Sequence, residues 1–77
     1  MTLSETILSI KNLKESEKKY VSLKKNKVLM FQRFPISYRV VQLHKSDILG
    51  CSCFVKSFGL LKEKQAIAIL NKFWNEQ

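Results

Sequence analysis

Acidic residues are scarce in this chain: six Asp and Glu stand against fourteen Lys and Arg in 77 residues, a formal net charge of +8. A protein this small with that imbalance carries a positive potential over much of its surface, and the partner suited to such a field is a polyanion. Seven of the lysines fall between Lys11 and Lys27, where only Glu15 and Glu17 oppose them. Long apolar runs are missing too. None approaches the ~20 residues that span a bilayer, and Met1 to Glu5 lacks the basic start and small-residue cleavage site of a secretory signal. A reducing cytoplasm is the expected setting. With two glycines and one proline, the chain has no glycine-rich phosphate loop and no interdomain linker.

Cysteine is limited to Cys51 and Cys53. On an extended strand that spacing points both side chains to the same face, a poor geometry for a disulfide between them. With His44 they make three potential soft ligands, one short of a closed tetrahedral zinc site. A site shared across a dimer interface is the remaining metal option, and two small buried apolar residues are the expectation. His44 is the sole imidazole, and no Ser/His/Asp order or paired-carboxylate spacing accompanies it. Action by binding, with no cofactor and no catalytic residues, is therefore expected.

What is present suffices for a core. At 45% hydrophobic and 10% aromatic, the chain is apolar enough to fold despite its charge, although a single domain of this size buries only about 60% of its unfolded surface. Thr2 with Glu5 has the form of a capping box. Leu3, Ile7, Ile10 and Leu13 recur at helical spacing, which predicts a first helix from about residue 3 to about 19. Its polar tail, Lys14 to Lys19, either continues the helix or loosens into a turn, and Tyr20 to Leu23 reads as helix or strand.

Beyond Lys24-Lys25-Asn26-Lys27, the run Val28 to Phe34 suits a pleated, half-buried surface and ends at Pro35. A second strand is predicted from about Ser37 to His44, with Tyr38, Val40, Gln42 and His44 on one face and Arg39, Val41, Leu43 and Lys45 on the other. After a turn at Lys45-Ser46-Asp47, a third strand is predicted from Ile48 to about Ser57. Its faces are Leu49, Cys51, Cys53, Val55 and Ile48, Gly50, Ser52, Phe54, Lys56. Gly59 supplies the exit from the sheet, and Ala66, Ile69, Leu70 and Phe73 mark a closing helix from about Leu61 to Asn75. The expected fold is a single α+β domain, α-β-β-β-α, with a three-stranded antiparallel meander and both helices packed on one face.

The other face then meets solvent or a partner. Arg33, Arg39, Lys45 and Lys56 are its candidate cations, and aromatics interleave with the basic residues around the strands, Phe31, Arg33 and Phe34, then Tyr38 and Arg39, then Phe54 and Lys56, with Tyr38 as the candidate stacking ring. Arginine forks phosphate bidentately, which makes Arg33 and Arg39 the better candidates for a specific contact. Lys24, Lys25 and Lys27 add long-range attraction. Single-stranded or irregular RNA is the expected ligand, bound by the chain alone or within a ribonucleoprotein. A small inhibitor or interaction protein docking an acidic protein groove is the alternative that needs the same charge.

The stretch Tyr38-Arg39-Val40-Val41, the Lys45-Ser46-Asp47 turn, Cys53-Phe54-Val55-Lys56-Ser57 and a helix with Ala66 and Ile69 resemble the RelE/HigB-like toxin superfamily over about residues 33 to 75. The resemblance implies a small basic protein that binds the ribosome and cleaves messenger RNA, held in check by an antitoxin. It also implies that Arg39 and Lys56 are its transition-state or phosphate-binding cations. The order of elements is similar as well to compact RNA-binding modules, the double-stranded RNA-binding fold and the Alu-domain proteins of the signal recognition particle.

Overall fold

A computed structural model describes residues 2–46 and 52–77. Its first element is helix α1, Leu3–Lys11. Thr2 caps it reciprocally: the Glu5 backbone N–H donates to the Thr2 hydroxyl at 3.2 Å, and the Thr2 backbone N–H donates to the Glu5 carboxylate at 3.0 Å. The expected extension to residue 19 does not form. Asn12 closes the helix, its N–H donating to Leu8, and Ser16 takes φ 71°. Past Leu13 the stripe has no further apolar residue to bury, so nothing offsets the entropy of ordering more helix.

The chain instead turns into strand β1, Lys18–Ser22. Ser16 N–H donates to the Arg33 carbonyl at 2.7 Å, and Arg33 N–H donates to the Glu17 carbonyl at 3.0 Å. These bonds start a ladder with β2, Lys27–Arg33, in the register Lys18 to Gln32 through Ser22 to Val28. Among the described residues the sheet therefore has four antiparallel strands and not three, in the order β1-β2-β3-β4, completed by β3, Tyr38–Lys45, and β4, Ser52–Leu61. The four consecutive buried residues of β2, Val28, Leu29, Met30 and Phe31, fit its central place, with β1 and β3 paired on its two edges.

The register of β3 separates its side chains as expected, Tyr38, Val40, Gln42 and His44 from Arg39, Val41, Leu43 and Lys45. In β4 the expected alternation fails. Bulges opposite Val40/Val41 and Gln42/Leu43 shift the pairing, so that Lys56 faces Gln42 whereas Phe54 faces Leu43. Phe54 and Lys56 thus lie on opposite faces, because each bulge inserts one residue and reverses the sense of those beyond it. Gly59 is not the exit from the sheet. It sits inside β4 with φ 79°, beside the first bulge, and the strand continues to Leu61. The predicted strand start at Ile48 to Cys51 lies outside the described residues.

Helix α2, Glu63–Glu76, closes the chain. Lys62 precedes it, its N–H donating to Gln65 Oε1 at 3.1 Å. Ile10 from α1, Ala66 and Leu70 from α2, and Val21, Leu29, Phe31, Tyr38 and Val40 from the sheet form one buried cluster, with Leu3, Ile7, Phe58, Ile69, Phe73 and Trp74 packed against it. The sheet members share one parity, and this side of the sheet is the core face. No helix among the described residues is long and apolar enough to cross a membrane.

Candidate nucleic-acid interface

The two arginines end β2 and begin β3, and strand parity sends them apart. Arg33 lies on the core face, registered with Tyr38. Its Nη1 donates to the Tyr38 hydroxyl at 2.7 Å and to the Lys11 carbonyl at 3.3 Å, and its guanidinium carbon stands 5.1 Å from the Tyr38 ring centroid. The Tyr38 hydroxyl in turn donates to the Ile10 carbonyl at 3.3 Å. Ile10 and Lys11 close α1, where carbonyls lack intrahelical donors and the helix dipole favours a cation. Arg33 and Tyr38 form a clasp on that helix end. Tyr38 is only 2% exposed, so its ring offers no face to a base. Neither residue joins an open cationic surface.

Arg39 is exposed on the second face, between Gln32 and Leu60 in the register. Lys56 belongs to the core face with Gln42, its Nζ 5.1 Å from the Phe58 ring centroid. The expectation that Arg33, Arg39, Lys45 and Lys56 share one face is not met: Arg39 and Lys45 take the second face, and Arg33 and Lys56 take the other. Arg39 and Lys56, joined by the toxin resemblance in one phosphate-binding role, are on opposite sides of the sheet.

The lysines converge differently, at one end of the sheet. Lys24, Lys25 and Asn26 turn the chain from β1 into β2, with φ 61° at Lys25 and 60° at Asn26. Two successive left-handed residues match the right-handed twist of the flanking strands. The tip of β3 reaches this turn, since the Lys45 N–H donates to the Asn26 carbonyl at 2.8 Å. Lys27 pairs across β2 and β3 with His44, and His44 with Cys53. Lys27 Nζ stands 5.9 Å from the Phe73 ring centroid. Phe73 meets Phe58 edge to face at 6.0 Å, and Phe58 underlies Lys56. A ladder of ammonium, ring, ring and ammonium therefore braces Lys27 and Lys56. Lys24, Lys25, Lys27 and Lys45 stand at this hairpin end, whereas Lys56, registered with Gln42, lies farther along the sheet. Glu76 lines a small hollow at the hairpin end with Lys24, Lys25 and Lys27, and Gln77 Oε1 accepts the Lys24 N–H at 3.1 Å.

The second face runs from this end in cross-strand rows. Ser22, Val28, Leu43 and Phe54 make one row, Tyr20, Met30, Val41 and Ser57 the next, and Lys18, Gln32, Arg39 and Leu60 the last. Its centre is buried: Val41 is 4%, Val28 7% and Met30 8% exposed. Its margins are open, with Tyr20 at 56% and Phe54 and Leu60 at 66%. Lys18, Arg39 and Lys45 supply its charge, and no carboxylate projects from it among the described residues. Lys18 and Tyr20, which the register places on this face, are not among the expected site residues because their segment reads ambiguously. The alternation of Lys18, Tyr20 and Ser22 against Lys19, Val21 and Leu23 was the available signal.

Cys53 is exposed and free, contrary to the expectation of a buried small apolar residue, because it lies near the open start of an edge strand. Cys51 lies outside the described residues. Among the described residues, no three or more His, Cys, Asp or Glu side chains group to hold a metal ion. The chain matches no family model, no curated protein and no solved structure.

Proposed function

We propose that this chain is a small basic RNA-binding protein of the cytoplasm that acts by binding and not by catalysis. The observation that carries this reading is the placement of Lys24, Lys25, Lys27 and Lys45 at one end of the sheet. Ammonium groups are point charges that attract a phosphate backbone without demanding a fixed geometry. Held on a hairpin tip and braced by rings, they present several cations to one anionic strand and release counterions from it. In this reading both helices cover the core face, which leaves the second face free to continue the binding surface. Catalysis on the toxin pattern would need Arg39 and Lys56 at one phosphate, and strand parity argues against that.

The test is an electrophoretic binding assay with RNA across a salt series. Affinity should fall steeply as salt rises. Replacing Lys24, Lys25 and Lys27 together by Gln should flatten the dependence of log affinity on log salt by about 2, near 0.7 for each lost contact to a single strand. Binding that is absent at low salt, or indifferent to the triple substitution, would remove the reading.

A second reading, a partner protein with an acidic groove, draws on the exposed Phe54, Val55 and Leu60 of β4. Exposed apolar side chains on an edge strand suit β-strand addition as well as they suit bases. Capture of one protein that persists after nuclease treatment, together with no RNA affinity at low salt, would favour it.

A further inference from the structure

We infer that the second face is a stacking platform for unpaired bases, with Tyr20 and Phe54 as its two rings and single-stranded RNA as its occupant. This rests on the RNA-binding reading and adds to it a ligand form and two contact residues. The two rings occupy the outer strands of one face, three inter-strand gaps apart, or ~14 Å across the sheet. Between them lie Met30, Val41, Val28 and Leu43, a floor without charge.

Both rings are more than half exposed, at 56% and 66%, although Met30 beside Tyr20 is buried and Leu43 beside Phe54 is half-buried. An aromatic side chain on a folded surface normally lies down against such neighbours. A ring left accessible above an apolar floor can receive the face of a base, and every base has one. Charge complementarity selects the occupant. Lys18 and Arg39 stand at one end of the face and Lys45 at the other, with no carboxylate of this face among the described residues. A strand crossing from the hairpin end would therefore meet cations at entry, rings in the middle and cations at exit.

A duplex cannot use this surface. Its bases are stacked on one another and only its backbone is outside, so the rings would meet sugar and phosphate. The platform thus predicts preference for a single strand, whereas the hairpin lysines alone would accept either form.

The experiment uses the whole chain, a short oligouridylate and an RNA duplex of the same length. Tyr20→Leu and Phe54→Leu should each weaken oligouridylate binding roughly tenfold, in the range set by loss of one stacked base. Tyr20→Phe should restore wild-type affinity, and duplex binding should not change. Both positions are exposed, so the thermal midpoints should stay at the wild-type value, which separates lost contact from lost fold. If both Leu variants bind the oligouridylate as wild type does while the Lys24, Lys25 and Lys27 substitutions weaken it, the platform is wrong and the RNA-binding reading survives. Equal affinity of the wild type for duplex and single strand would also overturn the platform. Absence of RNA binding at low salt would overturn both, and a protein captured through Phe54 in that case would identify the second face as a protein interface.

Discussion

The two faces of the sheet are built from the same strands and finished differently. On the core face Leu29, Phe31 and Val40 are fully buried in a cluster with Ile10, Ala66 and Leu70 of the helices. On the second face Val28, Met30 and Val41 are nearly as buried, yet among the described residues they are not part of that cluster, and exposed Tyr20, Phe54 and Leu60 flank them. A similar degree of burial therefore has two meanings. One face joins helix residues in a single buried cluster, and the other carries exposed side chains at its margins.

Substitutions can measure that contrast. The largest effect is expected from Phe31→Ala, a fully buried ring on the core face, at about 3–5 kcal/mol, against about 2 kcal/mol for Met30→Ala next to it in the chain. Chemical denaturation of both variants gives the comparison, and equal losses would mean that the second face is packed as tightly as the core. Next come the residues at the β2–β3 connection. Tyr38→Phe removes the hydroxyl shared by Arg33 and the Ile10 carbonyl and should cost about 1–3 kcal/mol. Arg39→Gln should stay within about 0.5 kcal/mol of wild type, as an exposed substitution does. Together they contrast the Arg33–Tyr38 clasp with the solvent-facing Arg39.

Gly59→Ala probes the bulge that reverses β4. A Cβ there meets nothing within 4 Å, so the cost comes from φ 79° alone. Chemical denaturation should show a loss of about 1–2 kcal/mol. The smallest effect concerns the start of α1. The hydrogen bond from the Thr2 backbone, followed by that from the Thr2 side chain, holds the Glu5 carboxyl below its ordinary value. A lowered pKa in the folded state means a contribution present above the ordinary glutamate range and lost as pH falls through the folded value. Because Glu5 is fully exposed, water screens the effect. Circular dichroism through the acid range should show a slight loss of helix in the wild type, and Glu5→Gln should remove that pH dependence.

The capping box at Thr2 and Glu5, the parity of β3 and the stripe of α2 were legible because each depends on residues within a few positions of one another. The segment Lys18 to Ser22 was not. Its five residues carry one buried side chain, Val21, too little to declare a period, and they become a strand only because β2 offers an open edge. The faces of β4 were misread for a related reason. Alternation holds along an unbroken strand, and the two bulges arise from how β4 meets β3, which leaves no mark in its own spacing. The placing of Arg33 and Tyr38 followed from the same limit, since their partners are carbonyls of α1 more than twenty residues earlier in the chain.

Composition and local spacing determined that this chain is strongly basic, that it mixes helix and antiparallel strand, and where α1 begins and β2 and β3 run. These are matters of charge count, capping and periodicity, which act over short distances along the chain. Which cations stand together was decided only by the assembled sheet. A shift of one residue in pairing sends a side chain through to the opposite face, so the convergence of the hairpin lysines and the separation of the arginines exist only once all four strands are in register.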